Sequence, residues 1–308
     1  METARSKAST TSKSSDSLDE ISLLTKTIAK NPWLNRKYVF FCFAVVVSFK
    51  ILASSSSGNA GLLQTSDSTI LLDAGLSGRK LAALLAEEGI KPGDLDAIFL
   101  THEHADHTAG IRGLSKQADV PVYANRDTAQ AVQASLKNRP SWKIFETGEP
   151  FTFKNLRVHP FSVPHDAYDP VGFHLEWGGE DLFNPPGSLA WVTDLGHAPR
   201  LVREKIAGAA ILVIEANHCS EMLERDTKRP WSLKQRISGR HGHLSNRATL
   251  ELLNSIENPR WKEIYLMHLS KDCNDVDLVR SSFAGLRGNG RSPATFVVDP
   301  NTSEAIPA

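Results

Sequence analysis

His102, His104, Asp106 and His107 fall within six residues and form the densest set of metal-ligating side chains in the sequence. They follow an apolar run, Leu95–Leu100 (LDAIFL), that reads as a buried strand ending at Thr101. Alternate side chains of an extended segment point the same way, so His102 and His104 can share one ion. Asp106 and His107 lie where the chain turns into a helix, free to address a second ion beside the first. Imidazole with carboxylate suits zinc, manganese or iron. A solvated loop that merely holds three histidines would not place them directly after a buried strand at H-x-H-x-D-H spacing. The chemistry on offer is metal-assisted hydrolysis, with Asp106 at its centre.

This H-x-H-x-D-H run is similar to the hallmark of the metallo-β-lactamase superfamily, and the resemblance extends over about residues 49–299. It implies an α/β fold, the αββα four-layer sandwich, and a cofactor of two divalent metal ions. It also implies further ligands at later strand ends. His165 (in VPHDA, 163–167) would serve the first ion and His268 (ending IYLMH, 264–268) the second, with Asp194 (ending WVTD, 191–194) as the bridging carboxylate. Asp73, closing TILLD (69–73), resembles the family's aspartate that fixes a ligand imidazole through its free N–H.

Two further segments narrow the branch. The turn Gly242-His243-Leu-Ser-Asn246, then a helix, then a strand ending in His268-Leu-Ser270, resembles the phosphodiester-cleaving members, which include ribonuclease Z and the phosphonate-pathway cyclic phosphodiesterase. That resemblance implies that His243 is a general acid for the leaving alkoxide; a helix-capping role is the alternative. The segments ILASSSSGNA (51–60), LLDAGLSGRKL (71–81), IEANH (214–218), RISGRHGHLSN (236–246) and MHLSKDCN (267–274) together look like the YycJ/WalJ-like group. The implied activity is 5′→3′ exonuclease-like cleavage of DNA, usually with manganese, and His218 joins the expected substrate-binding residues. Cys219 departs from that group, which carries an aspartate there, and the Ser54–Ser57 run lacks the group's glycine before Gly58.

Independently of any resemblance, residues 228–247 hold six Lys or Arg and no Asp or Glu. Lys234, Arg236 and Arg240 are therefore candidates for phosphate contacts, and Trp231 for stacking on a base or sugar. A solvated basic loop is the competing reading. RNA or cyclic-phosphate cleavage and thioester or lactam hydrolysis stay open as alternative activities. His159 and His174 fall inside strands and His197 in a loop, and none joins the expected site.

The elements that must position these residues alternate in the order of an α/β sandwich. Strand-like segments are 49–54, 61–65, 69–73, 95–100, 120–124, 156–162, 171–177, 189–194, 209–215, 263–267 and 295–299. Helical periodicity marks 79–89, 126–137, 199–206, 245–257 and 275–287. Residues 49–308 form the expected catalytic domain. Residues 1–37 read as a disordered or short-helix leader. The apolar segment 38–48, a run of twelve residues when taken on to Phe49, is short of the roughly 20 that a membrane span needs. It is a leader, an interfacial anchor or an extra strand. Lys plus Arg and Asp plus Glu number 35 each, so no global field draws nucleic acid or membrane. Three scattered cysteines argue against a disulfide framework and fit a cytoplasmic chain, with membrane association through 38–49 as the alternative and no stable membrane partner expected.

Overall fold

The computed structural model describes residues 47–179, 186–286 and 292–308. The expected leader and most of the apolar segment, up to Val46, lie outside the described residues. Among the described residues no helix is long and apolar enough to cross a membrane.

Two mixed sheets face each other. The first holds β1 (Ser48–Ala53), β2 (Ala60–Gln64), β3 (Thr69–Leu72), β4 (Ala97–Phe99), β5 (Pro121–Ala124) and β6 (Ser141–Ile144) in spatial order β1-β2-β3-β4-β5-β6. Its first three strands pair antiparallel and the rest parallel. The second holds β7 (Phe151–Phe153), β8 (Leu156–Ser162), β9 (Val171–Trp177), β10 (Gly187–Val192), β11 (Ile211–Glu215), β12 (Glu263–Met267), β13 (Ala294–Val298) and β14 (Ala305–Pro307). Their order is β14-β13-β12-β11-β10-β9-β8-β7, with β10 to β13 parallel and both flanks antiparallel.

Period-two alternation sorts each strand between two cores. On β3, Ile70 and Leu72 face the other sheet and pack with Phe99 of β4 and with Phe173, Leu189 and Trp191 from across the interface. Leu71 points outward and packs with α1 (Gly78–Glu87) and α3 (Ile111–Gln117), which follows α2 (Ala105–Thr108). α4 (Arg126–Ala134) completes that outer layer through Ala129. On the far side Val192, Leu212 and Ile214 pack against α5 (Arg200–Ala207), α8 (Asn246–Asn254) and α9 (Val276–Phe283). The layers therefore run helix, sheet, sheet, helix, the αββα sandwich. Two further short helices, α6 (Ser220–Arg225) and α7 (Trp231–Ile237), stand between β11 and α8.

The sequence reading placed no strand at β6 or β7. Both are short sheet edges with one side in solvent, and Lys143 and Thr152 on them are exposed. An edge strand buries too little to leave the alternation that reveals a central one.

Candidate metal centre

Strand ends deliver the site. Asp73 follows β3, Thr101 and His102 follow β4, His165 follows β8, Asp194 follows β10, Glu215 ends β11 and His268 follows β12. Asp73, Asp194 and His268 adopt left-handed backbone φ of 58°, 57° and 59°. This conformation turns the chain sharply at the sheet edge, and Asp and His are among the residues that accept it most readily. Asp106 and His107 ride on α2, which backbone bonds clamp to neighbouring turns: Asn59 N donates to Asp106 O at 2.8 Å and Ala74 N to His107 O at 2.7 Å. The approach is close enough that a Cβ on Gly75 would sit 1.6 Å from Asp106 O, so only glycine fits.

The imidazole nitrogens can be accounted for one by one. His102 Nδ1 lies 3.0 Å from Thr101 Oγ1, whose hydroxyl donates to Asp73. His107 Nδ1 donates to Asp73 Oδ2 at 2.8 Å, and Trp191 Nε1 donates to the same oxygen at 3.0 Å. His165 Nδ1 donates to the Gly242 carbonyl at 3.2 Å, and His268 Nδ1 faces Glu215 Oε2 at 3.3 Å. Each ring thus has its Nδ1 proton occupied, which leaves Nε2 as a lone pair turned toward the centre. His104 instead presents Nδ1, 3.3 Å from His165 Nε2.

Those inward atoms gather in two groups, His102 with His104 and His165, and Asp106 with His107, Asp194 and His268, each within 4.8 Å. Asp194 spans them, with Oδ2 3.0 Å from His107 Nε2 and Oδ1 3.8 Å from His165 Nε2. His102 Nε2 and Asp194 Oδ2 are buried with no hydrogen-bond partner. Buried lone pairs facing one another repel unless a proton or a cation lies between them. The donor set, nitrogen and oxygen only, is what zinc or manganese accepts, so these residues fit divalent metal.

Charge points the same way. Burial works against a charged His268, but Asp194, Asp106 and Glu215 outweigh it and push the ring up to about 10. His107 is likewise raised, against its burial, by Asp194, Asp73 and Asp106. Asp194, buried, is held well below the usual carboxylate range by His268 and His107. The acid-rich cleft draws positive charge to the same points that cations would occupy.

Residues 68–269 match the family described as Beta-lactamase superfamily domain. The chain belongs to the beta-lactamase superfamily. Over 234 residues it is 41% identical to exodeoxyribonuclease WalJ of Streptococcus pneumoniae, covering 75% of this chain and 84% of that protein. Exodeoxyribonuclease YycJ of Bacillus anthracis is 37% identical over 236 residues, covering 76% and 86%. Among solved structures, the metallo-β-lactamase fold protein YhfI from Bacillus subtilis superposes with a TM-score of 0.62 at 16% identity, covering 83% of this chain and 98% of that one. The metallo-β-lactamase sandwich, with hydrolase character, is thereby established.

In this superfamily member an open cavity of about 220 Å³ exposes both residue groups, and Ser56, Asp166, Leu233, Arg236, Ile237 and His243 help to line it. His243 Nδ1 donates to Glu215 Oε2 at 2.9 Å. Burial lowers His243, but the Glu215 charge and hydrogen bond, with Asp194, raise it above its ordinary value. Glu215 is wholly buried, and its Oε1 accepts from Leu195 N and Leu244 N, both at 2.8 Å. Sequence reasoning gave Glu215 no role. Its signal was available, because an acid closing the apolar strand ILVIE repeats the pattern of Asp73 and Asp194. Asn59 was missed too; its Nδ2 lies 3.3 Å from Asp106 Oδ2 and 3.2 Å from His107 Nε2.

Several expected substrate contacts sit elsewhere. His218 is 2% exposed and burial pushes its ring down to about 4, so it packs behind the site as a neutral imidazole. The basic stretch 228–247 is a helix-bearing segment whose six cations are all engaged. Lys228 and Arg229 pair with Asp272, Arg229 also with Asp226, Arg236 with Asp166 and Arg247 with Glu251. Lys234 donates to the Glu224 carbonyl and Arg240 to His197. Of the three expected phosphate contacts only Arg236 lines the cavity. Leu233, Arg236 and Ile237 share one side of α7, and at 3.6 residues per turn Trp231 falls on the other. Its ring is 64% exposed, directed away from the cleft. Asp272, Asp166 and His197 come from distant segments, and Asp226 and Glu251 lie just outside the stretch, which is why a window over 228–247 showed these cations as free.

Proposed function

We propose that the chain is a two-metal phosphodiesterase that removes nucleotides from DNA ends. The carrying observation is the Glu215–His243 pair beside the two ligand groups. Divalent ions, zinc or manganese, held by His102, His104 and His165 and by Asp106, His107, Asp194 and His268, would supply an activated water and neutralise charge on the phosphate. Glu215 pins the Nδ1 proton of His243, and the raised imidazolium keeps a second proton on Nε2. That proton passes to the departing alkoxide, a poor leaving group that must be protonated. Asp73 sets the tautomer of His107, and the Gly242 carbonyl sets that of His165. Arg236, fixed by Asp166, orients the substrate phosphate at the cavity mouth. The exodeoxyribonuclease names of both relatives support DNA as the substrate.

A thioester releases a thiolate that needs little protonation, so thioester hydrolysis gives His243 no comparable task. His243→Ala separates the readings. Turnover of oligonucleotides should fall roughly 10²–10⁴-fold with both metals retained, and turnover of bis-p-nitrophenyl phosphate, whose leaving group is already stable, should fall far less. An enzyme that ignores oligonucleotides, turns over thioesters or lactams and tolerates His243→Ala would overturn the phosphodiesterase reading.

A further inference from the structure

The outer face of α3 carries charge that nothing in the active cavity uses. Arg112 and Lys116 stand four residues apart and so on one side of the helix. With Lys137, from the segment after α4, they line a hollow of about 80 Å³. All three side chains are exposed. Among the described residues none of them makes an ion pair, and no carboxylate lines the hollow. Three like charges around one concavity repel one another, and an anion placed there relieves that repulsion. The contrast with residues 228–247 is direct: four of the six cations there pair with carboxylates, while Arg112, Lys116 and Lys137 meet around one hollow with no carboxylate among its lining residues.

The position relative to the metal centre is informative. Ala109 and Gly110, between α2 and α3, both keep helical backbone angles. His107 and Lys116 are therefore separated by nine nearly helical residues, roughly 14 Å at 1.5 Å per residue. One strand of duplex DNA advances about 3.4 Å per nucleotide along the helix axis, so this span equals roughly four nucleotides. We propose that Arg112, Lys116 and Lys137 hold a backbone phosphate of the substrate strand about four nucleotides from the scissile bond. The inference rests on the DNA-cleaving reading above, and it adds a length dependence that the active cavity alone does not produce.

The test compares the full chain, loaded with manganese, with its Arg112→Gln/Lys116→Gln/Lys137→Gln form. Substrates are a trinucleotide, a duplex of about twelve base pairs and bis-p-nitrophenyl phosphate, with salt varied from 50 to 200 mM. For the unmodified chain kcat/KM on the duplex should fall more steeply with salt than on the trinucleotide. The substituted form should lose roughly threefold of that salt response for each phosphate contact removed. Its turnover of the trinucleotide and of the small ester should match the unmodified chain, which also shows that it is folded. Arg112→Lys should keep the steep response. If the substituted form responds to salt on the duplex as the unmodified chain does, the hollow is not a phosphate site and the DNA-cleaving reading stands. If the unmodified chain cleaves neither oligonucleotide, both fall.

Discussion

Glu215→Gln removes one buried charge while keeping the side chain's size and both of its backbone bonds. The amide oxygen can still accept from Leu195 N and Leu244 N, now at 2.8 Å each. Its NH2 then occupies the place of Oε2, 2.9 Å from His243 Nδ1, and meets a donor with a donor. Glu215 itself is ionised across the working range: burial opposes its charge, but His243 and His268 hold it down to about 2. A hydrogen bond to a charged group contributes about 1.5–3 kcal/mol. At 1.36 kcal/mol per pH unit, His243 should lose about one to two units of pKa. The sign follows from its task. A general acid works while protonated, so activity is lost as pH rises through its pKa, and lowering that pKa moves the basic limb of the profile to lower pH. The assay is kcat against pH on an oligonucleotide, with metal content measured in parallel because Glu215 also faces His268. A limb one to two units lower, with bis-p-nitrophenyl phosphate turnover nearly unchanged, is expected. An unmoved limb in a fully metallated Glu215→Gln protein would refute the assignment of His243 as an acid tuned by Glu215.

Adding manganese or zinc to metal-stripped protein should raise its melting temperature, by the equivalent of about 2.7 kcal/mol at a hundredfold excess over Kd, and His102→Ala should reduce that gain. Bound metal measured at saturation checks the same point. Gly75→Ala forces a Cβ onto the Asp106 carbonyl, so it should destabilise the fold by roughly 1–3 kcal/mol or more and weaken metal binding, read by thermal melting and metal titration. The catalytic domain is proposed to need nothing before Val47: a chain starting there should melt cooperatively and turn over substrate at the full chain's rate, and insoluble or inactive protein would assign 38–46 to the core or to an anchor.

His102, His104, Asp106 and His107 were legible in the sequence because their geometry is local. One strand end and one helical turn fix their relation, so spacing alone carries the information. The sandwich was legible for a related reason, since central strands such as β3 and β11 bury both faces or alternate strongly. Their edge counterparts β6 and β7 did not, and were not seen. Asp73, Asp194 and His268 are intermediate. Each closes an apolar strand, but only the family's order gave them meaning, and only the fold brings their side chains within reach of one another. Glu215 obeyed the same rule unnoticed, because its worth lies in a 2.9 Å bond to a residue 28 positions away. The pairing of the basic stretch was hidden for the complementary reason. Asp166 and Asp272, which neutralise Arg236, Lys228 and Arg229, are distant in sequence and adjacent in space. Covalent neighbourhood determines which side chains a short segment can present. Electrostatic neighbourhood depends on through-space separation, and that was decided only when the two sheets packed and set their strand ends side by side.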